Sequence, residues 1–237
     1  MEEKTRIKNL YKLFKEHKEG RWIMETPNVE SLYVLIKSYP IKRVLDLGTG
    51  IGCSAAIIAQ TLLDKGETDF HIDSVEQFDK CIKIANELIP LELKKYITIH
   101  KSNALLWTTE KIPYETFSIF ETLPEGDYDL ILNDGPAPWQ EGENYIELPN
   151  ATILKMLLED KLKPGTLIAF DGRISSIATL ERYYQDNFKL VMPTKNTDFN
   201  VIRRQDNLVL FYDQRLKVMR DSTYFKDYEK DNLSCHF

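Results

Sequence analysis

The apolar positions of this chain change their period along its length, and each change marks an element. Ile7, Leu10, Tyr11 and Phe14 recur at helical spacing among Lys and Glu, which predicts a helix over residues 4–18. Gly20 follows it, and Pro27-Asn28 begins a second helix carrying Leu32, Leu35 and Ile36. From residue 43 onward, short apolar runs alternate with helical stretches. Arg43–Leu47, His71–Val75, Tyr96–His100, Tyr128–Leu132 and Thr166–Phe170 read as strands. Cys53–Leu63, Lys80–Leu88, Ala151–Glu159 and Ser176–Tyr184 read as helices. Phe188–Val191 and Leu208–Tyr212 close the pattern as two strands, with a loop or an extra strand between them and no clear helix.

Buried strands that alternate with helices build a parallel sheet between two helical layers. The expected fold is α/β, a doubly wound, mostly parallel seven-stranded sheet with an antiparallel edge hairpin, in three α-β-α layers. Residues 1–40 are expected as a helical segment over the rim, 41–213 as the main domain and 214–237 as a charged tail. Residues 105–126 break the rhythm and hold Trp107, Tyr114, Phe117 and Phe120. Their aromatic content suggests a packed flap over a ligand or partner, or a helix added to the core.

Composition narrows the class. The 237 residues suffice for one domain with a sizeable core, and 43% hydrophobic with 29% charged residues is a globular balance. A formal net charge of −6 argues against bulk binding of nucleic acid, which rewards basic surfaces. Cys53, Cys81 and Cys235 are far apart, so neither a zinc site nor a disulfide framework is implied, and a reducing cytoplasm is the expected location. Met1-Glu2-Glu3-Lys4-Thr5-Arg6 lacks the layout of a signal peptide, and no apolar run approaches bilayer length, so no membrane partner is expected.

The chemistry begins where the first strand of the alternation ends. Asp46-Leu47-Gly48-Thr49-Gly50-Ile51-Gly52 passes from strand through a glycine turn into a helix. Glycines let the backbone turn sharply and approach a ligand, and the helix N-terminus presents free N–H groups to it. The dinucleotide pattern G-x-G-x-x-G would need its third glycine at Cys53; the chain has G-x-G-x-G instead. Asp46, two residues before the first glycine, repels a pyrophosphate and attracts a ligand with an ammonium and a sulfonium.

The run Val44–Ala55 resembles motif I of class I S-adenosylmethionine-dependent methyltransferases. The resemblance continues at Ser74-Val75-Glu76-Gln77, at Lys101-Ser102-Asn103-Ala104, at Tyr128–Gly135 and at Leu162–Asp171, covering residues 40–212. It implies S-adenosylmethionine as cofactor, bound by Asp46, Gly48, Thr49, Gly50, Gly52, Ser54, Glu76, Gln77, Asn103, Ala104 and Asp134. In this family Glu76 would accept bonds from the ribose hydroxyls, and Asn103-Ala104 would meet adenine. It further implies methyl transfer to a small molecule, at oxygen rather than nitrogen, because Asn133-Asp134-Gly135-Pro136 stands where amino-methyltransferases carry Asn/Asp-Pro-Pro-Tyr/Phe.

Asp134 and Asp171 end two strands and are expected to share one cleft with the glycine loop. Three readings of the pair stay open. Asp134 acts as base or positions the acceptor; both acids bind Mg²⁺, as in metal-dependent O-methyltransferases of the catechol and caffeoyl-CoA type; or one or both are turn and cap residues. The chain departs from the metal-dependent pattern, with Gly172 in place of asparagine and Gly135-Pro136-Ala137-Pro138-Trp139 in place of a lysine-bearing stretch. Arg173 follows Asp171-Gly172 and either reaches an anionic acceptor or pairs with a nearby acid. Trp139 and Tyr145 are candidates to wall the acceptor pocket, and no histidine is assigned a catalytic role. Three rival functions remain: a nucleic-acid methyltransferase, a nicotinamide-dependent oxidoreductase and a non-catalytic scaffold that keeps the cofactor fold. The oligomeric state is not legible.

Overall fold

The computed structural model describes residues 2–136, 139–141, 144–146, 148–193 and 199–204. Two helices come first, α1 (Glu2–Lys15) and α2 (Thr26–Ser38). β1 (Arg43–Leu47), α3 (Cys53–Asp64), β2 (His71–Glu76), α4 (Asp79–Leu88), the single turn α5 (Leu91–Lys94) and β3 (Ile97–Lys101) follow. Next are β4 (Ala104–Thr109), β5 (Ile112–Phe120), β6 (Leu130–Asn133), β7 (Trp139–Glu141) and β8 (Asn144–Ile146). The described chain closes with α6 (Thr152–Leu158), β9 (Leu167–Asp171), α7 (Ile174–Tyr184), β10 (Phe188–Pro193) and β11 (Phe199–Arg204).

Seven strands form one sheet in the order β10-β11-β9-β6-β1-β2-β3. The five from β9 to β3 run parallel, and β11 is antiparallel to both β9 and β10. This is the expected three-layer architecture with its edge hairpin. Between the two closing segments the extra strand is the reading found, because β11 is the partner of β10. Its polar Asn200, Arg203 and Arg204 mask a run whose Phe199, Val201 and Ile202 are buried beside β9. The expected strand at Leu208–Tyr212 and the tail at 214–237 lie outside the described residues.

Side chains alternate across each strand, so the sheet feeds two cores. On one face Val44, Ile72, Leu130 and Ala169 meet α1, α2 and α3 through Phe14, Leu32, Leu35 and Ile58. On the other, Leu45, Val75, Ile131 and Ile168 meet β5, α6 and α7 through Phe117, Phe120, Leu154 and Leu180. Full burial of each such Val, Leu, Ile or Phe side chain contributes about 1.5–3 kcal/mol. The N-terminal helices thus lie within a core layer, and this placement carries the start of α2 to the carboxyl end of β9. Residues 104–120 contain no helix: β4 and β5 form an antiparallel hairpin, with Trp107 tilted against Phe117 at 5.9 Å between ring centroids. Among the described residues no helix is long and apolar enough to cross a membrane.

Candidate active site

Because β1, β2, β6 and β9 run parallel, their carboxyl ends bring Leu47, Glu76, Asn133 and Asp171 to one edge of the sheet. The glycine loop is pinned there from two sides. Gly48 and Thr49 donate their N–H groups to Val75 O at 3.0 and 3.1 Å, and Asp134 N donates to Leu47 O at 2.8 Å. Gly48 has φ +106°, and a Cβ on it would lie 2.8 Å from Gly135 N. Only glycine permits both that conformation and that approach of the two loops. Gly52, at φ +93°, caps α3.

Asp46 is fully buried beneath this loop. Its Oδ2 accepts from Ser54 Oγ at 2.9 Å and Ser74 Oγ at 2.7 Å, and Ser74 in turn meets Thr49 Oγ1 at 2.6 Å. Among the described residues its Oδ1 is buried without a hydrogen-bond partner. Burial raises the carboxyl to about 7; the two serines pull against that rise, and the field of Glu76 adds to it. Glu76 is also buried, but its oxygens are answered by backbone. Oε2 accepts from Gly50 N at 2.7 Å, while Oε1 accepts from Gln77 N at 2.7 Å and Phe78 N at 2.9 Å. Burial still holds its carboxyl above the ordinary value. Ser102 N donates to Glu76 O at 3.0 Å, placing Asn103 and Ala104 beside the end of β2. The Asn103 amide donates to Glu121 at 3.0 Å.

Across the loop, Asp134 accepts from Arg173 Nη2 at 3.0 Å, and the same nitrogen donates to the Asp134 backbone carbonyl. Gly172, at φ +65°, turns the chain so that Arg173 folds back over β6. The Asp134 side chain is 32% exposed. The protein crowded round it pushes its carboxyl up to about 8; Arg173 opposes this rise, and the charges of Asp171 and Asp46 reinforce it. Asp171 accepts from Asn28 Nδ2 at 2.6 Å.

The structure therefore gathers Asp46, Gly48, Thr49, Gly50, Gly52, Ser54, Glu76, Gln77, Asp134, Asp171 and Arg173 around one edge, with Asn103 and Ala104 at its β3 side. The side chains of Trp139 and Tyr145 lie outside the described residues. No motif or spacing singles out Asn28 or Ser74 as a member of the site. Asn28 sits 143 residues before its partner, and only the assembled sheet brings the two together. His71 and His100 are far apart in the chain yet both meet Asp73 Oδ1, at 3.5 and 2.8 Å, in the first half of β2. A cavity of about 610 Å³ opens beside Gly126–Tyr128, ahead of β6, and contains none of the carboxyl-end residues.

No family model matches this chain, and no curated protein matches it. Solved structures do. A putative O-methyltransferase from Klebsiella pneumoniae superposes with a TM-score of 0.52 at 16% identity, over 84% of this chain and 90% of that one. An SAH-bound methyltransferase from Podospora anserina gives 0.54 at 13%, over 84% and 88%. The Bacillus cereus O-methyltransferase in complex with SAH gives 0.50 at 12%, over 85% and 91%. At these identities the likeness is one of fold: a seven-stranded, mostly parallel sheet between helical layers, shared with these methyltransferases.

Proposed function

We propose that this chain transfers a methyl group from S-adenosylmethionine to an oxygen of a small-molecule acceptor. The observation that carries the reading is the uncompensated carboxylate under the glycine loop. Among the described residues Asp46 Oδ1 is buried without a donor. A cation seated on the loop meets that charge across a thin low-dielectric layer, where charge interactions are strong. A pyrophosphate meets it as repulsion, which sets the nicotinamide reading aside. Glu76, at the end of β2, would receive the ribose hydroxyls of such a ligand, and Asn103 and Ala104 its base. When bound, S-adenosylmethionine supplies an electrophilic methyl group on a sulfonium.

Asp134 is the candidate proton acceptor. It faces the loop from the neighbouring strand, and among the described residues its Oδ2 has no partner. Asp134 would take the proton of the acceptor hydroxyl as that oxygen is methylated, and the bound sulfonium would supply the methyl group with its sulfur as the leaving atom. A carboxyl raised towards neutrality is a stronger base once ionised. In this proposal residues 41–213 are the catalytic domain, residues 1–40 its helical cover, and the cytoplasm its working place. Mg²⁺ fits this donor set poorly, because a guanidinium already lies on Asp134 and Asp171 is engaged by Asn28. Among the described residues no three His, Cys, Asp or Glu side chains gather as metal ligands.

Calorimetry with S-adenosylhomocysteine and with NAD tests the cofactor assignment. The expected result is tight binding of the first and none of the second, and the reverse sinks it. A panel of hydroxylated acceptors with labelled S-adenosylmethionine, each with and without EDTA, then tests transfer.

A further inference from the structure

Resting on that reading, we infer that Arg173 takes the place of a divalent cation, so that the acceptor oxygen is held and charge-stabilised by a guanidinium and the site works without metal. In metal-assisted transfer a cation bound by strand-end acids receives the acceptor oxygen and lowers its pKa. Here Asp134 and Asp171 stand at the strand ends, and the positive charge beside them belongs to the chain itself. Arg173 Nη2 donates to both Oδ1 and the backbone carbonyl of Asp134, which fixes one corner of the guanidinium. Gly172 supplies the turn that brings it there.

A structural ion pair would be expected to use every buried donor, and this one does not. Among the described residues the Arg173 Nε atom is buried without a hydrogen-bond partner. A buried donor left unpaired costs about 1–3 kcal/mol, and an anionic oxygen arriving in the cleft removes that cost. The guanidinium is planar, permanently charged and suited to phenolate or carboxylate oxygens. The acceptor class that follows is a hydroxylated aromatic compound, whose oxygen Arg173 holds as the anion once Asp134 has taken its proton. Two ligands of the same sign exclude each other from one carboxylate, so while Arg173 lies on Asp134 a divalent cation is kept out.

The test titrates Mn²⁺ into the chain, with and without S-adenosylhomocysteine, and follows free Mn²⁺ by electron paramagnetic resonance. Wild type is expected to take up none at concentrations up to about 1 mM. Arg173→Gln is expected to gain Mn²⁺ uptake through the freed Asp134, and Arg173→Lys, which keeps the charge, to gain none. In parallel, 4-nitrocatechol is added to the S-adenosylhomocysteine complex in EDTA, and its absorbance reports ionisation. Wild type is expected to bind it as the anion, with at least about tenfold weaker binding in Arg173→Gln. Mn²⁺ uptake by wild type, dye ionisation that requires a divalent cation, or a dye left neutral and unbound each overturns the inference. Loss of S-adenosylhomocysteine binding in wild type overturns the cofactor reading instead, and the Mn²⁺ result on the chain alone is still read.

Discussion

Glu76 and Asp134 are both carboxylates at the carboxyl ends of adjacent parts of one sheet, and they are held in opposite ways. Glu76 receives three backbone N–H groups, all from residues whose positions the glycine loop and the start of α4 dictate. Asp134 receives a charged side chain, that of Arg173, on Oδ1. Backbone donors are immobile and bring no net charge, whereas a guanidinium can turn and brings a full one. The β1–β2 side is thus organised in advance to hold a ligand, and the β6–β9 side is organised to respond to one.

The largest test of this contrast is Asp46→Asn. An amide keeps an acceptor for Ser54 and Ser74 but presents N–H where the buried oxygen stood. Affinity for S-adenosylmethionine is expected to fall by at least about 30-fold, on the order of 2 kcal/mol, measured by calorimetry. Wild-type affinity should rise as pH climbs through about 7, because the ligand's cation favours the ionised carboxyl, and the variant should lose that slope. The ligand-free protein should show the opposite trend. Unfolded Asp46 ionises near its ordinary value, whereas folded Asp46 holds its proton to about 7. Its contribution to stability is fully present below pH ~4 and is lost as pH rises to about 7. Melting curves at acid and alkaline pH should therefore favour the variant over wild type only at the alkaline end.

Glu76→Ala is expected to act on the fold as well as on the ligand. It orphans three N–H groups at the loop and at the start of α4, and a loss of roughly 2–4 kcal/mol should appear in the denaturation midpoint. A change under about 0.5 kcal/mol would show that those N–H groups find water, and the contrast with Asp134 would weaken. On the other side of the cleft, methyl transfer from saturated enzyme should rise with pH up to about 8 as Asp134 ionises, and Asp134→Asn should flatten that limb. The smallest effect is expected from Asn28→Ala. Asp171 would lose its 2.6 Å partner, and transfer should slow by roughly 3–10-fold while the Kd for S-adenosylhomocysteine stays within about twofold. Equal losses in both would place Asn28 in the cofactor half instead.

The cofactor half is largely legible in the amino-acid sequence, and the reason is local. Asp46, the three glycines and Ser54 lie within nine residues, so a single strand–turn–helix presents them together. The acceptor half is legible only as positions. Asp134 and Asp171 can be placed at strand ends, but whether Arg173 faces solvent, an acid or a ligand depends on a side-chain direction set by the turn at Gly172. The segment at 105–126 is misleading for a related reason. Its aromatics satisfy either an added helix or a hairpin, and contact with Ala151 and Asn150 at the start of α6 selects the hairpin's position.

Local order along the chain settles the alternation of strands and helices, the glycine turn and the acids that end the strands, since periodicity and backbone freedom act over a few residues. Folding in three dimensions settles which of those acids gains a partner and which stays exposed to an incoming ligand. A hydrogen bond reaches only about 3 Å, so Asn28 can find Asp171, and Arg173 can claim Asp134, only after the sheet and its helical cover have brought distant segments to the same edge.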